Sequence, residues 1–284
     1  MRYTQAPERR RELLRRVEDA GYVSSTEAAV ALAVSEMTIR RDLRQLAAQG
    51  LVNRVAGGAS LPTPTAGAPF EQRRGAAMTE KEAVARAAVP LVTSDAVVAL
   101  DAGTTVAALA ALLPGGLTVV THSVPVIQTC VGRADLELIA LGGAYHGPTR
   151  SFTGPITRTS LGDLAVDVAV LSATAAGPAG VYSANASDAD TKRAMARIAR
   201  RVVLLLDHGK LDARAPMRFM DLAAVDVVVI DGGVAGEQLA MLRAHCRQVV
   251  VAPLSGAAPA RVDGDLPGAP PVARRPARAA VAGR

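Results

Sequence analysis

Cysteine, lysine and the aromatic residues are scarce in this 284-residue chain, and each shortage closes off a class of function. The two cysteines, Cys130 and Cys246, stand far apart. Two thiols cannot build a disulfide framework, and their positions match no metal-ligand spacing. A reducing cytoplasm is therefore expected, with no metal and no cofactor. Trp is absent and aromatics make up 2% of the residues, which removes the stacking platforms that single-stranded nucleic acids need. Duplex binding through helix and phosphate contacts needs no aromatics. No apolar run approaches the ~18 residues of a membrane helix. The N-terminal "MRYTQAPERRRELLRRV" is basic but lacks the apolar core of a signal peptide, so no membrane partner is expected. Lysine occurs only at Lys81, Lys192 and Lys210, and arginine fills the rest of the 32 basic positions.

What is present is a chain that is 50% hydrophobic, with a net charge of +6. It can bury a sizeable core as one large domain or as a large and a small one. The basic balance is compatible with a nucleic-acid partner.

Residues 1–60 read as helices followed by a ribbon. "PERRRELLRRVEDAG" starts at Pro7, carries Leu13, Leu14 and Val17 on one face and stops at Gly21. "SSTEAAVALAV" has Ser25 and Thr26 as capping candidates, and "LVNRVAGGASL" reads as a hairpin turning at Gly57 and Gly58. "SEMTIRRDLRQLAAQG" between them has Ser35 as N-cap, Glu36 in its first turn and Gly50 as its stop. On a helical wheel Ile39, Leu43 and Leu46 form a narrow stripe that must be buried. Arg41 lies nearly opposite, flanked by Met37, Arg44 and Arg40, with Thr38 and Gln45 on the shoulder. An ordinary amphipathic helix with a solvated basic face gives the same wheel. The short helix before it and the tight connection through "AVSE" make the arrangement a helix-turn-helix, whose second helix enters the major groove. Arginine can bond bidentately to guanine there, and Thr38 can contact a base or a phosphate. Arg54 in the ribbon is placed like a wing residue touching backbone or minor groove.

"VSEMTIRRDLRQLAAQGLVNRVAGGASL" resembles the winged helix-turn-helix of the DeoR family of bacterial transcription regulators, through V-S-x-x-T-I-R-R-D-L and then G-L-V-x-R-x-x-G-G-A. The resemblance implies that Ser35, Thr38, Arg40 and Arg41 contact double-stranded operator DNA, with Asp42 orienting a neighbouring arginine. The preceding "STEAAVALA" is richer in alanine than is usual in the family.

"PTPTAGAP" reads as a linker, assigned to residues 61–74. From about residue 75 to 255, strand-like runs alternate with helical patterns at 79–90, 104–113, 124–132, 187–200 and 235–245. The runs are "AVVALDAG", "LTVVTHS", "LELIALGG", "VDVAVLSA", "RVVLLLDHG", "VDVVVIDGG" and "QVVVAP". Apolar strands alternating with helices predict a mainly parallel α/β sheet covered on both faces. Residues 256–284, rich in Ala, Pro and Arg, read as a disordered tail.

In such a sheet ligands gather beyond the carboxyl ends of the strands. The residues there are Asp101, Gly103, Thr104 and Thr105; Thr121 and His122; Gly142 and Gly143; and Asp207 with Lys210. Lys192 opens a further helix in "SDADTKRAM". Hydroxyls, a close-turning glycine and lysines suit a phosphate or carboxylate ligand, although Gly-Thr-Thr after a strand can equally be only a capped helix.

The resemblance continues through "EKEAVARAAVPLV", "VALDAGTTVAALA", "IALGGAY" and "VVLLLDHGKL" and covers roughly residues 7–233. It implies an effector domain similar in fold to ribose-5-phosphate isomerase and CoA-transferase-like proteins, sensing a phosphorylated sugar or related metabolite. Asp101, Gly103, Thr104, Thr105, Lys192 and Lys210 would line its pocket, and Gly142 and Gly143 would shape it. One position departs from the family: His122 stands where Asn usually follows "VVT". An isomerase-like enzyme on the same fold is the rival, but "LSATAAGPAG" after the fourth strand has no acid where such isomerases carry theirs. A ligand-free architectural DNA-binding protein is a third class. The expected protein is a non-enzymatic regulator, a dimer or tetramer of identical chains, because a helix-turn-helix monomer reads few base pairs.

Overall fold

Ser35 fixes the start of the helix that the wheel pattern singles out. Its Oγ accepts the Thr38 amide at 3.2 Å, and Ile39, Leu43 and Leu46 turn inward together. That helix belongs to a small N-terminal domain in the computed structural model, which describes residues 6–20, 22–49, 51–55, 57–60 and 68–254. The stop glycines Gly21 and Gly50, residues 61–67 of the expected linker and the expected tail lie outside the described residues. The domain runs α1 (Ala6–Ala20), β1 (Tyr22–Ser24), α2 (Ser25–Ala31), α3 (Glu36–Ala48), β2 (Asn53–Val55) and β3 (Gly58–Ser60). The N-cap of α2 is Ser24 rather than Ser25 or Thr26, because Ser24 Oγ is the atom that accepts the Glu27 amide. Leu13 and Val17 of α1 join Leu32 and the α3 stripe in one core. β3 sits between β1 and β2 in an antiparallel wing. Gly57 turns the hairpin with φ +80°, and a Cβ on Gly58 would stand 1.9 Å from the Val23 carbonyl oxygen.

The second domain begins earlier than its strand pattern does. Residues 70–75, the end of the stretch read as linker and just beyond, form α4 (Phe70–Gly75). Buried Phe70 pins this helix against the rest of the domain. Then follow α5 (Met78–Ala88), β4 (Val97–Leu100), α6 (Thr104–Ala110), β5 (Thr118–Thr121), α7 (Val124–Cys130) and β6 (Glu137–Ala140). A hairpin of β7 (Ala144–His146) and β8 (Ser151–Thr153) leads to α8 (Pro155–Gly162) and β9 (Val166–Ser172). β10 (Ala175–Gly177), β11 (Gly180–Ser183), α9 (Ala186–Ile198), β12 (Ala199–Leu206), β13 (Met217–Met220), β14 (Val227–Asp231), α10 (Gly236–His245) and β15 (Gln248–Ala252) complete it.

Seven of these strands make one parallel sheet in the order β15-β14-β12-β9-β4-β5-β6. They are the seven apolar runs of the sequence. Alternation along each strand sends Val98 and Leu100 to a core under α5, α6 and α7, and Ala99 to a core under α8, α9 and α10. The chain enters at β4, runs out to β6, then returns to β9 beside β4 and runs to the opposite edge. The order therefore reverses between β4 and β9, where an open α/β sheet leaves its ligand crevice. No helix among the described residues is long and apolar enough to cross a membrane.

Candidate functional site

The residues expected on the outer face of α3 and in the wing come together on one surface. Thr38, Arg40, Arg41 and Arg44 of α3 and Arg54 of β2 line one open concavity of about 440 Å³, together with exposed Met37. Arg41, Arg44 and Arg54 form no ion pair among the described residues, while Arg40 meets Glu36 at 2.6 Å. That pair is exposed, so the guanidinium can leave it at little cost. Ser35 stands apart from the concavity. Its oxygen is committed to capping, and it lies 2.9 Å from Thr38 Oγ1. Asp42 does orient an arginine, but not one of its helix neighbours. It is buried and accepts Arg9 Nε of α1 at 2.5 Å, with Arg10 at 3.8 Å. This ion pair braces α3 against α1.

The second cluster lies at the β4–β9 reversal. Asp101 is fully buried and accepts the Gly103 amide at 2.7 Å, the Ser172 amide at 2.7 Å and the Ser172 hydroxyl at 3.1 Å. Lys192 Nζ contacts the same carboxylate and lies 3.7 Å from Asp188, whose other partner is the Ser183 hydroxyl at 2.5 Å. Gly103 is obligatory here because a Cβ would stand 2.0 Å from Ser172 Oγ. Burial alone would push the Lys192 ammonium down, but Asp101 and Asp188 outweigh it and raise its pKa. Burial would likewise raise Asp188, yet Lys192 and the Ser183 hydroxyl hold it below the usual range. Both groups are charged, and each is neutralised from within.

His122 and Ser123 follow β5 and are wholly buried. Burial holds the imidazole below its ordinary pKa, so it is neutral near pH 7. Its Nδ1 faces the Phe152 carbonyl at 2.7 Å, which places the proton there and leaves Nε2 as an acceptor. Among the described residues, His122 Nε2 and Ser123 Oγ have no hydrogen-bond partner. Thr121 is fully engaged, donating to the Leu100 carbonyl at 2.7 Å and accepting the Ser123 amide at 3.1 Å.

The remaining expected residues divide. Thr104 and Thr105 are buried at the start of α6, and Thr104 alone of the expected effector residues lines a groove of about 680 Å³. Lys81, Arg150, Gln128 and Phe70 also line it. Lys210 lies 3.8 Å from Asp207 after β12, and both act electrostatically on Lys81. Gly142 and Gly143 turn the chain out of β6. Gly143 has φ +146°, and a Cβ there would meet Thr157 Oγ1 at 2.2 Å, while Gly142 offers its carbonyl to that hydroxyl at 2.7 Å.

Sequence reading passed over several members of the cluster. Ser172 sits in the very stretch searched for an acid, and Asp188 lies one helical turn before Lys192, a spacing that could have revealed it. Arg73 lay inside the stretch read as linker. Lys81 is buried, and burial lowers its pKa to about 8.

A winged helix-turn-helix joined to a parallel α/β domain with a buried polar cluster at its strand reversal defines a ligand-responsive transcription regulator. The DeoR-like helix-turn-helix domain matches residues 9–65, and the DeoR C terminal sensor domain matches residues 76–232. The chain belongs to the DeoR family. It is 35% identical over 229 residues to the uncharacterized HTH-type transcriptional regulator YgbI of Escherichia coli K12, covering 80% of this chain and 90% of that one. It is 31% identical over 227 residues to the glycerol-3-phosphate regulon repressor of the same organism, covering 79% and 90%. It is also 31% identical over 239 residues to the L-fucose operon activator of Haemophilus influenzae, covering 83% and 94%. Among solved structures, a D-ribose-5-phosphate isomerase in complex with phospho-erythronic acid matches at 20% identity and a TM-score of 0.35, over 46% of this chain and 52% of that one.

Proposed function

We propose that this chain is an operator-binding repressor of carbohydrate-metabolism genes whose grip on DNA is set by a phosphorylated sugar or related metabolite. The observation that carries the reading is the concavity shared by Thr38, Arg40, Arg41, Arg44 and Arg54, an outward cationic surface on a domain with its own buried core. Arg41 and Arg44 read base edges, Arg54 touches the backbone or minor groove, and Ser35 holds the helix end in place. The relatives named for a glycerol-3-phosphate regulon and an L-fucose operon support a carbohydrate role. Repression by occupying the operator is the simplest output, and a dimer or tetramer supplies the second reading helix.

The ligand sits at the β4–β9 reversal. Asp101, Gly103 and Lys192 frame it, Thr104, Thr105 and Thr121 hold the backbone of its floor, and Gly142, Gly143 and Lys210 bound it. His122 Nε2, an acceptor on a neutral ring, suits a sugar hydroxyl. We read the domain as binding without turnover: Asp101 is taken by Ser172, Gly103 and Lys192, Asp207 faces Lys210 at 3.8 Å, and the stretch after β9 carries no acid. Operator DNA selected from random duplexes, titrated in the presence of a panel of sugar phosphates, tests the reading. At least one compound is expected to shift operator affinity without being consumed.

A further inference from the structure

Arg73 is a cation without an assigned task. It stands on α4, a six-residue helix between the expected linker and the sensor sheet. Its Nε donates to the Ala68 carbonyl at 3.0 Å, and its guanidinium lies 5.7 Å from the centroid of the Phe70 ring. Its Nη2 is buried and has no hydrogen-bond partner among the described residues. A buried guanidinium N–H without a protein acceptor is costly unless a water or a ligand group meets it.

The two other unmet buried atoms are tied to it through the packing: Arg73 and Arg150 both lie on the Phe70 ring, at 5.7 and 5.9 Å, the Arg150 carbonyl accepts the amide of Val124 next to Ser123 at 2.9 Å, and the Phe152 carbonyl meets His122 Nδ1 at 2.7 Å. Asp188 feels Lys192, His122 and Arg73 together, and Asp101 acts on Arg73, His122 and Lys192. The three atoms are complementary in kind. Arg73 Nη2 is a charged donor, His122 Nε2 an acceptor, and Ser123 Oγ can serve as either. One ligand meets all three if it carries a phosphoryl group beside a hydroxyl.

The mounting of Arg73 gives that contact a consequence. Phe70 is the buried anchor of α4, clasped by Arg73 on one side and by Arg150 at 5.9 Å. Arg150 also pairs with Glu71 at 2.6 Å and reaches Gln128 of α7 at 3.2 Å. Lys81 Nζ donates to the carbonyls of Arg73 and Ala76, tying the end of α4 to α5. A helix held by one aromatic plug and several polar contacts can shift at modest cost when its guanidinium gains a partner.

We propose that Arg73 binds the phosphoryl group of the sensor ligand, with His122 Nε2 and Ser123 Oγ taking an adjacent hydroxyl, so that ligand capture moves α4 and is passed to the DNA-binding domain. The inference rests on the sugar-phosphate reading above and names the residue that converts binding into response.

The test uses the full chain with inorganic phosphate and a panel of sugar phosphates and sugar carboxylates as probes. Calorimetry reads binding, and anisotropy on the selected operator reads response. Arg73→Gln is expected to weaken phosphate and sugar-phosphate binding ~10–100-fold, the range for hydrogen bonds to a charged group. Arg73→Lys, which keeps the charge, is expected to recover part of that loss and provides a second variant should Gln disturb folding. Operator affinity without ligand is measured for each variant, so that the response is read as the ratio of liganded to unliganded affinity. Wild-type response to a sugar phosphate that Arg73→Gln and Arg73→Lys share unchanged would overturn the inference and leave the function standing. Binding of sugar carboxylates alone would overturn the phosphoryl assignment. A wild-type chain that answers to no member of the panel would bring down the function as well.

Discussion

The two domains use charge in opposite ways. In the N-terminal domain the arginines of α3 and the wing point outward and leave their faces open, and one ion pair, Arg9 with Asp42, is buried to brace the helices. In the sensor domain the central charges are buried and spent on one another, and what stays open is a few single atoms. A polyanion as large as duplex DNA needs a preformed exposed surface. A small ligand needs a dry cavity in which a few unmet groups are worth much more than they would be in water. Charged side chains therefore serve as surface in one domain and as scaffold in the other.

Substitutions can break this contrast. The largest effect is expected at Lys192. Lys192→Met leaves Asp101 buried beside Ser172 without its cation, and removing one partner of a buried ion pair costs ~3–5 kcal/mol. Chemical denaturation should show the sensor domain losing that much while the N-terminal transition stays in place. Gly103→Ala follows, at ~1–3 kcal/mol for overpacking against Ser172, and the double variant Gly103→Ala with Ser172→Gly should recover most of it. Arg41→Ala is the reverse case. Its side chain is exposed, so denaturation should move by no more than ~0.5 kcal/mol, while discrimination between operator and random DNA falls by ~1–3 kcal/mol. Operator selectivity equal to wild type would remove Arg41 from the reading face.

The smallest effect is a pH dependence. Burial lowers the His122 pKa, so the unfolded chain binds a proton below about 6.5 that the folded chain refuses. The sensor domain should thus lose melting temperature as pH falls through that value. His122→Asn should flatten this slope relative to wild type, and parallel curves would show that His122 does not set it.

Much of the fold was legible because its signals are local. The seven apolar runs are the seven parallel strands, and the α3 wheel needed only its own residues to show which side is buried. α4 escaped because "PFEQRRG" is short and polar, has Pro and Gly at its ends and buries only Phe70, so it looks like linker. The site was half legible. Strand-end position marked Asp101 and His122, but nothing local says that Asp101 meets Ser172 and Lys192, 71 and 91 residues onward. Those partners are set by the β4–β9 reversal, which is a property of the sheet order and of no single segment. Nothing local marks the complete burial of His122 either, which keeps the ring neutral.

The central claim is that occupancy of the buried cluster controls the exposed arginine face. The most direct measurement is the affinity of the full chain for its selected operator, followed by fluorescence anisotropy across a panel of sugar phosphates. The account predicts that at least one sugar phosphate changes that affinity by roughly 5–150-fold, the usual span of an allosteric coupling. An operator affinity that is the same with every member of the panel as without would contradict it.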